Sequence, residues 1–188
     1  MISLIYGGSG SGKSEYAESL VLAQADPGSR YYIATMRAYG EEGRQRVLRH
    51  QKLRAGKGFQ TIEQPWEIER ALEEITEPAS ATILLECVSN LVANEMFDRP
   101  AQTAREEPDM VAGTDADDFI ERIVQELSAL LSEVKHAVVV TNNIFEDGAE
   151  YDELMIRYME SLAAINCHLA EMADHVTEVV AGIPITIR

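Results

Sequence analysis

Three short runs of the chain are dominated by apolar residues: Ile2 to Tyr6, Ala81 to Cys87 and His136 to Asn142. Runs of this length, apolar on both faces, predict strands buried inside a parallel sheet. Arg30 to Thr35 and the alternating Phe59 to Glu63 read as two more strands. Between them the period lengthens. Glu15 to Ala23 and Trp66 to Ile75 read as helices, the second ended by Pro78. Phe119, Ile120, Ile123, Val124, Leu127, Leu130, Leu131 and Val134 trace one apolar helix face, which is core packing. Tyr151 to Met172 predicts a further helix, and Val176 to Val180 with Ile183 to Ile187 flank Ala181-Gly182 as a closing hairpin. Strands alternating with helices predict an α/β fold with a mostly parallel central sheet.

The length of 188 residues suits one domain, 1–188, with a substantial core. Charge narrows the range of partners: 16 basic against 32 acidic residues give 16 − 32 = −16, and that repulsion excludes general nucleic-acid or anionic-membrane binding. Seven acids, two arginines, Pro100 and Pro108 fall between Asp98 and Asp118, which reads as an acidic loop. No 18-residue apolar run predicts a membrane span, and Met1 to Tyr6 lacks the basic and apolar regions of a secretory leader. Cys87 and Cys167 are isolated, and the four histidines show no metal-ligand spacing, so a reduced cytoplasm is the expected location.

The chemistry concentrates first at Gly7-Gly-Ser-Gly-Ser-Gly-Lys-Ser14, which reads G-x-x-x-x-G-K-S between a predicted strand and a predicted helix. A loop that wraps a triphosphate must aim successive backbone N–H groups inward. Gly7, Gly8, Gly10 and Gly12, spaced by Ser9 and Ser11, permit the angles required. The following helix turns its positive end toward the same anion. Lys13 is expected on the β- and γ-phosphates and Ser14 on Mg²⁺. This motif predicts a nucleoside triphosphate ligand, GTP or ATP.

Ligands of open α/β sheets lie beyond the carboxyl ends of the strands, which nominates Thr35. Glu86 ends another buried strand. It would organise Mg²⁺ or its water shell, or accept a proton from an attacking hydroxyl; a carboxylate capping the next helix is the plain alternative. Six basic residues fall between Glu41 and Lys57, and on a helix Arg46, His50 and Arg54 form one stripe. Two flanking arginines would lower the proton affinity of His50, leaving a neutral imidazole able to attack phosphorus. A solvated basic face with an incidental histidine has the same spacing.

With these elements placed, the chain resembles the bifunctional adenosylcobinamide kinase / adenosylcobinamide-phosphate guanylyltransferase family of cobalamin assembly. The resemblance runs nearly end to end. It rests on the P-loop, Tyr32-Ile-Ala-Thr35, Glu42, Arg46-Val-Leu-Arg-His50-Gln-Lys-Leu-Arg54, Thr61-Ile-Glu63 and Leu84 to Asn94. It continues at Asn166, Leu169-Ala170, Ala173-Asp174 and Gly182-Ile-Pro184. The resemblance implies a three-layer RecA-like P-loop fold, a homotrimer, and nucleotide binding by the P-loop, Ile33, Ala34, Thr35, Gln51, Lys52, Arg54, Glu63 and Glu86. It implies that the hydroxyl of adenosylcobinamide is phosphorylated first. GMP then passes from GTP to that phosphate through a guanylylated His50, with Arg46 and Arg54 neutralising phosphate charge.

Departures from the family pattern cluster in Asn143 to Cys167. There Asn143 replaces an acid, two glycines and a proline are lost, and Met159 and Cys167 replace Arg and Gln; separately, Ala55 replaces a proline. The nucleotide elements are kept while a segment expected to face the corrinoid has diverged, so these departures bear on substrate range or relative kinase activity. A guanylyltransferase without kinase activity, a kinase for another small alcohol, and a GTP-binding regulator without turnover are the other readings.

Overall fold

The computed structural model describes residues 1–26, 29–37, 40, 45, 56–98, 116–146 and 148–188. Arg46, His50, Gln51, Lys52 and Arg54 lie outside the described residues, as do Glu42, Ala55 and most of the acidic stretch 98–118.

Strand β1 (Ile2–Gly7) leads into helix α1 (Lys13–Gln24), and β2 (Arg30–Ala34) and β3 (Phe59–Glu63) follow. A 3-10 helix (Ile68–Glu74) precedes β4 (Thr82–Glu86) and the short helix α2 (Val88–Ala93). Then come α3 (Ala116–Glu133), β5 (His136–Asn142), α4 (Glu153–Met172), β6 (His175–Val180) and β7 (Ile183–Thr186). The sheet order is β3-β2-β4-β5-β1-β6-β7, parallel throughout except for β7, which closes the chain as an antiparallel hairpin with β6. This is the expected α/β architecture with its C-terminal hairpin.

Strand alternation sends neighbouring side chains to opposite layers. Ile5, Leu84, Val138, Val140 and Val179 pack against Ala17 and Val21 of α1. Leu4, Ile83, Leu85 and Val139 pack on the other face, against Leu91, Ile123, Leu127, Leu162 and Ile165 of α2, α3 and α4. Ile83, Leu84 and Leu85 are fully buried, each contributing about 1.5–3 kcal/mol of transfer free energy. That two-sided burial is why the central strands read as continuous apolar runs rather than alternating ones.

Local structure differs from expectation in three places. The segment read as a helix from Trp66 is a 3-10 helix that begins at Ile68, after Glu67 in the left-handed region (φ 48°). Its entry is held from outside: Glu67 N–H donates to Glu95 Oε1 at 2.7 Å and Ile68 N–H to Glu126 Oε2 at 3.3 Å. Helix α2 and its π-helical extension Asn94–Asp98 carry too short an apolar pattern (Val88, Leu91, Val92) to be read from the sequence. Helix α3 starts at Ala116 rather than Phe119, so 116–118 belong to it and not to the acidic loop. No helix among the described residues is long and apolar enough to cross a membrane.

Candidate functional site

The parallel strands bring their carboxyl ends to one edge of the sheet, and β1, flanked by β5 and β6, ends there at Gly7. The P-loop follows. A Cβ on Gly7 would stand 2.6 Å from the carbonyl oxygen of Val179, so close packing against β6 requires glycine. Gly12 caps α1 with φ 90°, in the left-handed region, and a Cβ there would lie 3.2 Å from Gly182 Cα. Two neighbours hold the loop. Gly182 N–H, in the hairpin turn, donates to Ser11 O at 2.7 Å, and Asn143 N–H donates to Gly7 O at 2.9 Å. The Ser11 hydroxyl is buried and has no hydrogen-bond partner among the described residues.

Lys13 is buried and its Nζ donates to Gly8 O at 2.9 Å, so the ammonium lies folded over the loop. Burial lowers its pKa, and the nearby Glu86 carboxylate opposes that shift. An anionic phosphate in the loop would relieve the same desolvation. Ser14 Oγ donates to Glu86 Oε1 in a short contact that joins α1 to the end of β4. The other carboxylate oxygen, Oε2, accepts from the Tyr32 hydroxyl at 3.0 Å. Glu86 is therefore aimed at the P-loop by two hydroxyls and does not cap the helix that follows it. The Glu86–Cys87 peptide bond is cis.

The remaining predicted residues divide by burial. Ile33 is fully buried on the sheet face away from α1, while Ala34 is half-buried beside Glu86 and Glu63 in register. Thr35 is fully buried and pins β2 to β4: its Oγ1 donates to Cys87 O at 2.8 Å and accepts from Cys87 N–H at 2.7 Å. Asn94 Nδ2 donates to Thr35 O at 2.7 Å. Glu63 is exposed at the end of β3. Lys57, one of the basic residues of the 41–57 run, pairs with Glu18 of α1 at 2.5 Å.

Sequence reasoning missed a second polar group beside Glu86. Cys87 Sγ lies 3.0 Å from Ser89 Oγ, which also accepts from Asn142 Nδ2 at 2.5 Å. Tyr158 OH, from α4, donates to Ser89 O at 3.1 Å. Burial pushes the Cys87 thiol up and Tyr158 up to about 12, so both are neutral at pH 7. Tyr32 enters the sequence reading only as the first residue of Tyr32-Ile-Ala-Thr35; that a buried tyrosine needs a partner for its hydroxyl is the signal that could have given it a role of its own.

No group of three His, Cys, Asp or Glu that could hold a metal occurs among the described residues. The adjacent Ser14 hydroxyl and Glu86 carboxylate are nevertheless the hard oxygen donors that suit Mg²⁺, which takes few protein ligands beside water and phosphate. They fit that ion.

The family model described as "Cobinamide kinase / cobinamide phosphate guanyltransferase" matches residues 3–187. The chain is 30% identical over 189 residues to the bifunctional adenosylcobalamin biosynthesis protein CobU of Escherichia coli K12, with all of both chains covered. The CobU of Salmonella typhimurium LT2 is equally similar, at 30% over 189 residues and full coverage of both. The bifunctional adenosylcobalamin biosynthesis protein CobP of Pseudomonas aeruginosa is 28% identical, covering 100% of this chain and 98% of its own. Among solved structures, a KaiC-like protein of Pyrococcus horikoshii OT3 superposes with a TM-score of 0.50 at 11% identity, over 94% of this chain and 69% of that one. That likeness concerns the fold alone.

Proposed function

Because this chain belongs to the cobinamide kinase / cobinamide phosphate guanyltransferase family, and is thereby a transferase of cobalamin biosynthesis, we propose two successive reactions for it. In the first, the terminal hydroxyl of adenosylcobinamide attacks the γ-phosphorus of ATP or GTP, releasing the nucleoside diphosphate. In the second, His50 attacks the α-phosphorus of GTP and expels pyrophosphate. The phosphate of adenosylcobinamide phosphate then takes GMP from the histidine, giving adenosylcobinamide-GDP.

The observation that supports the reading best is the P-loop mouth, where Lys13 and the Ser14–Glu86–Tyr32 chain converge. Backbone N–H groups of the loop bind the β- and γ-phosphates, and Lys13 exchanges its bond to Gly8 O for phosphate oxygen. Ser14 and Glu86 would hold Mg²⁺, whose charge supplies electrostatic stabilisation at the phosphoryl group. Tyr32 keeps the Glu86 carboxylate oriented toward Ser14. Glu86 already accepts from two hydroxyls, which favours ion organiser over proton acceptor. Thr35 acts through the strand end it pins; Ala34 and Glu63 line the same edge. His50 carries the guanylyl group, with Arg46 and Arg54 on its phosphate and Gln51 and Lys52 beside the nucleotide. We also propose a cytoplasmic homotrimer that binds neither nucleic acid nor membrane.

Incubation with Mg²⁺ and α-³²P-labelled GTP, followed by denaturation, tests the second step. Acid-labile label is expected on the parent and not on His50→Ala. No label despite tight GTP binding would remove the transferase reading. γ-³²P-labelled nucleotide with adenosylcobinamide tests the first step by label in adenosylcobinamide phosphate; no such label, with α-³²P-labelled GMP still transferred to added adenosylcobinamide phosphate, would leave the guanylyltransferase alone.

A further inference from the structure

Beside the P-loop, on the side of β5 and α4, lies a cleft of about 550 Å³. Gly8 forms one end, and Tyr151, Met155, Tyr158 and Met159 form the walls. Beyond Tyr151 and Met159 a second hollow of about 620 Å³ continues over α4. The two share Tyr151 and Met159 in their linings and so adjoin, and each alone is of a size that holds a small organic ligand.

The linings decide what could bind. Among the described residues neither hollow is lined by a lysine or arginine, whereas Glu146 borders the first and Glu150 and Glu160 the second. A polyanionic nucleotide would meet repulsion there, and a neutral or cationic organic surface would not. The walls are apolar and adaptable: two methionines, with flexible polarisable side chains, face two tyrosine rings. Large apolar side chains also stand exposed at the opening, Met155 at 36% and Ile156 at 45%. Exposed apolar residues gathered at a cleft mouth mark a ligand or partner surface. The segment that walls the cleft, Asn143 to Met159, is also where the chain departs from the pattern it otherwise resembles.

We propose that this cleft is the acceptor subsite: Met155, Met159 and Tyr151 receive the apolar face of a bulky, uncharged or cationic alcohol, whose hydroxyl arm reaches past Gly8 to the phosphates. This rests on the kinase reading above, with adenosylcobinamide as the alcohol. Met155 and Met159 are then specificity-determining residues. Acceptor and nucleotide occupy separate volumes and bind together, and the width between α4 and the β5 exit sets which acceptors enter.

Equilibrium dialysis of adenosylcobinamide in the dark, followed by its own visible absorbance, tests the assignment on the parent, Met155→Lys and Met159→Trp. Met155 is exposed, so lysine there leaves the fold intact while opposing a cationic face; tryptophan at half-buried Met159 narrows the cleft. Each variant should weaken acceptor binding by about tenfold or more, with nucleotide affinity changed less than about twofold and an unaltered thermal transition for Met155→Lys. Parent-like acceptor binding by Met155→Lys would overturn the subsite and leave the function standing. In Mg²⁺-free buffer, where no phosphoryl transfer occurs, displacement of the acceptor by excess GTP on the parent would overturn it too, by placing both ligands in one site. A parent that binds GTP but no adenosylcobinamide would remove the functional reading itself, and the subsite with it.

Discussion

Two adjacent glycines in the P-loop should respond oppositely to the same added methyl group. At Gly7 an alanine Cβ would sit 2.6 Å from Val179 O, where ordinary contact begins near 3.4 Å, so β1 and β6 must part locally by 3.4 − 2.6 = 0.8 Å. Ser11 Oγ, at 2.8 Å, can rotate away, but Val179 O is backbone in a strand paired to β1 from Ser3–His175 to Tyr6–Glu178. Overpacking of this kind costs about 1–3 kcal/mol. For a chain of this size, about 2 kcal/mol lowers the melting temperature by about 4–8 °C. At Gly8 no atom lies within 4 Å of the added Cβ, and its φ is not in the left-handed region, so Gly8→Ala should stay within about 0.5 kcal/mol of the parent. Thermal unfolding by circular dichroism, with nucleotide titration alongside, measures both. Gly7→Ala should also weaken nucleotide binding, because Gly7 O anchors Asn143 N–H and the loop must shift with it. Equal melting temperatures for the two variants would refute the steric account and leave only the motif's general preference for glycine.

Tyr32→Phe removes the hydroxyl that holds Glu86 Oε2. It should cost about 1.5–3 kcal/mol in urea unfolding, as expected for a hydrogen bond to a charged group, and raise the Mg²⁺ concentration needed for half-maximal phosphoryl transfer; an unchanged urea midpoint would show that the bond is not formed in solution. Asp174 accepts from Ile2 N–H at 2.6 Å, which holds its carboxyl below the usual aspartate range. A depressed folded pKa stabilises above the unfolded value and loses that contribution as pH falls through the folded one. The parent's advantage over Asp174→Asn in melting temperature should therefore be present at pH 6 and disappear in strong acid, and an advantage independent of pH would contradict it.

Much of the architecture was legible because its causes are local. Burial on both faces makes the central strands apolar throughout, and the 3.6-residue stripe from Phe119 to Val134 needs no knowledge of what covers it. The P-loop is as local: a loop between one strand and one helix, with glycine demanded inside eight residues. Resemblance extended that reading to His50 and the arginines around it. The 3-10 helix from Ile68 was misread because its entry depends on Glu95 and Glu126, carboxylates supplied from distant parts of the chain. Helix α2 escaped because six residues are too few for a period to show.

By itself, then, the sequence determined the class of fold, the triphosphate loop and the family. Tertiary structure alone decided what surrounds that loop. The order β3-β2-β4-β5-β1-β6-β7 brings Glu86 to Ser14 across 72 residues, Tyr32 to Glu86 across 54 and Tyr158 to Ser89 across 69. It also sets the hairpin turn on Ser11 and opens the methionine-lined cleft beside Gly8. Periodicity and short motifs record what a residue requires of its near neighbours and of burial. Which strand lies beside which is settled by packing whole layers together, and no spacing along the chain encodes the distances that result.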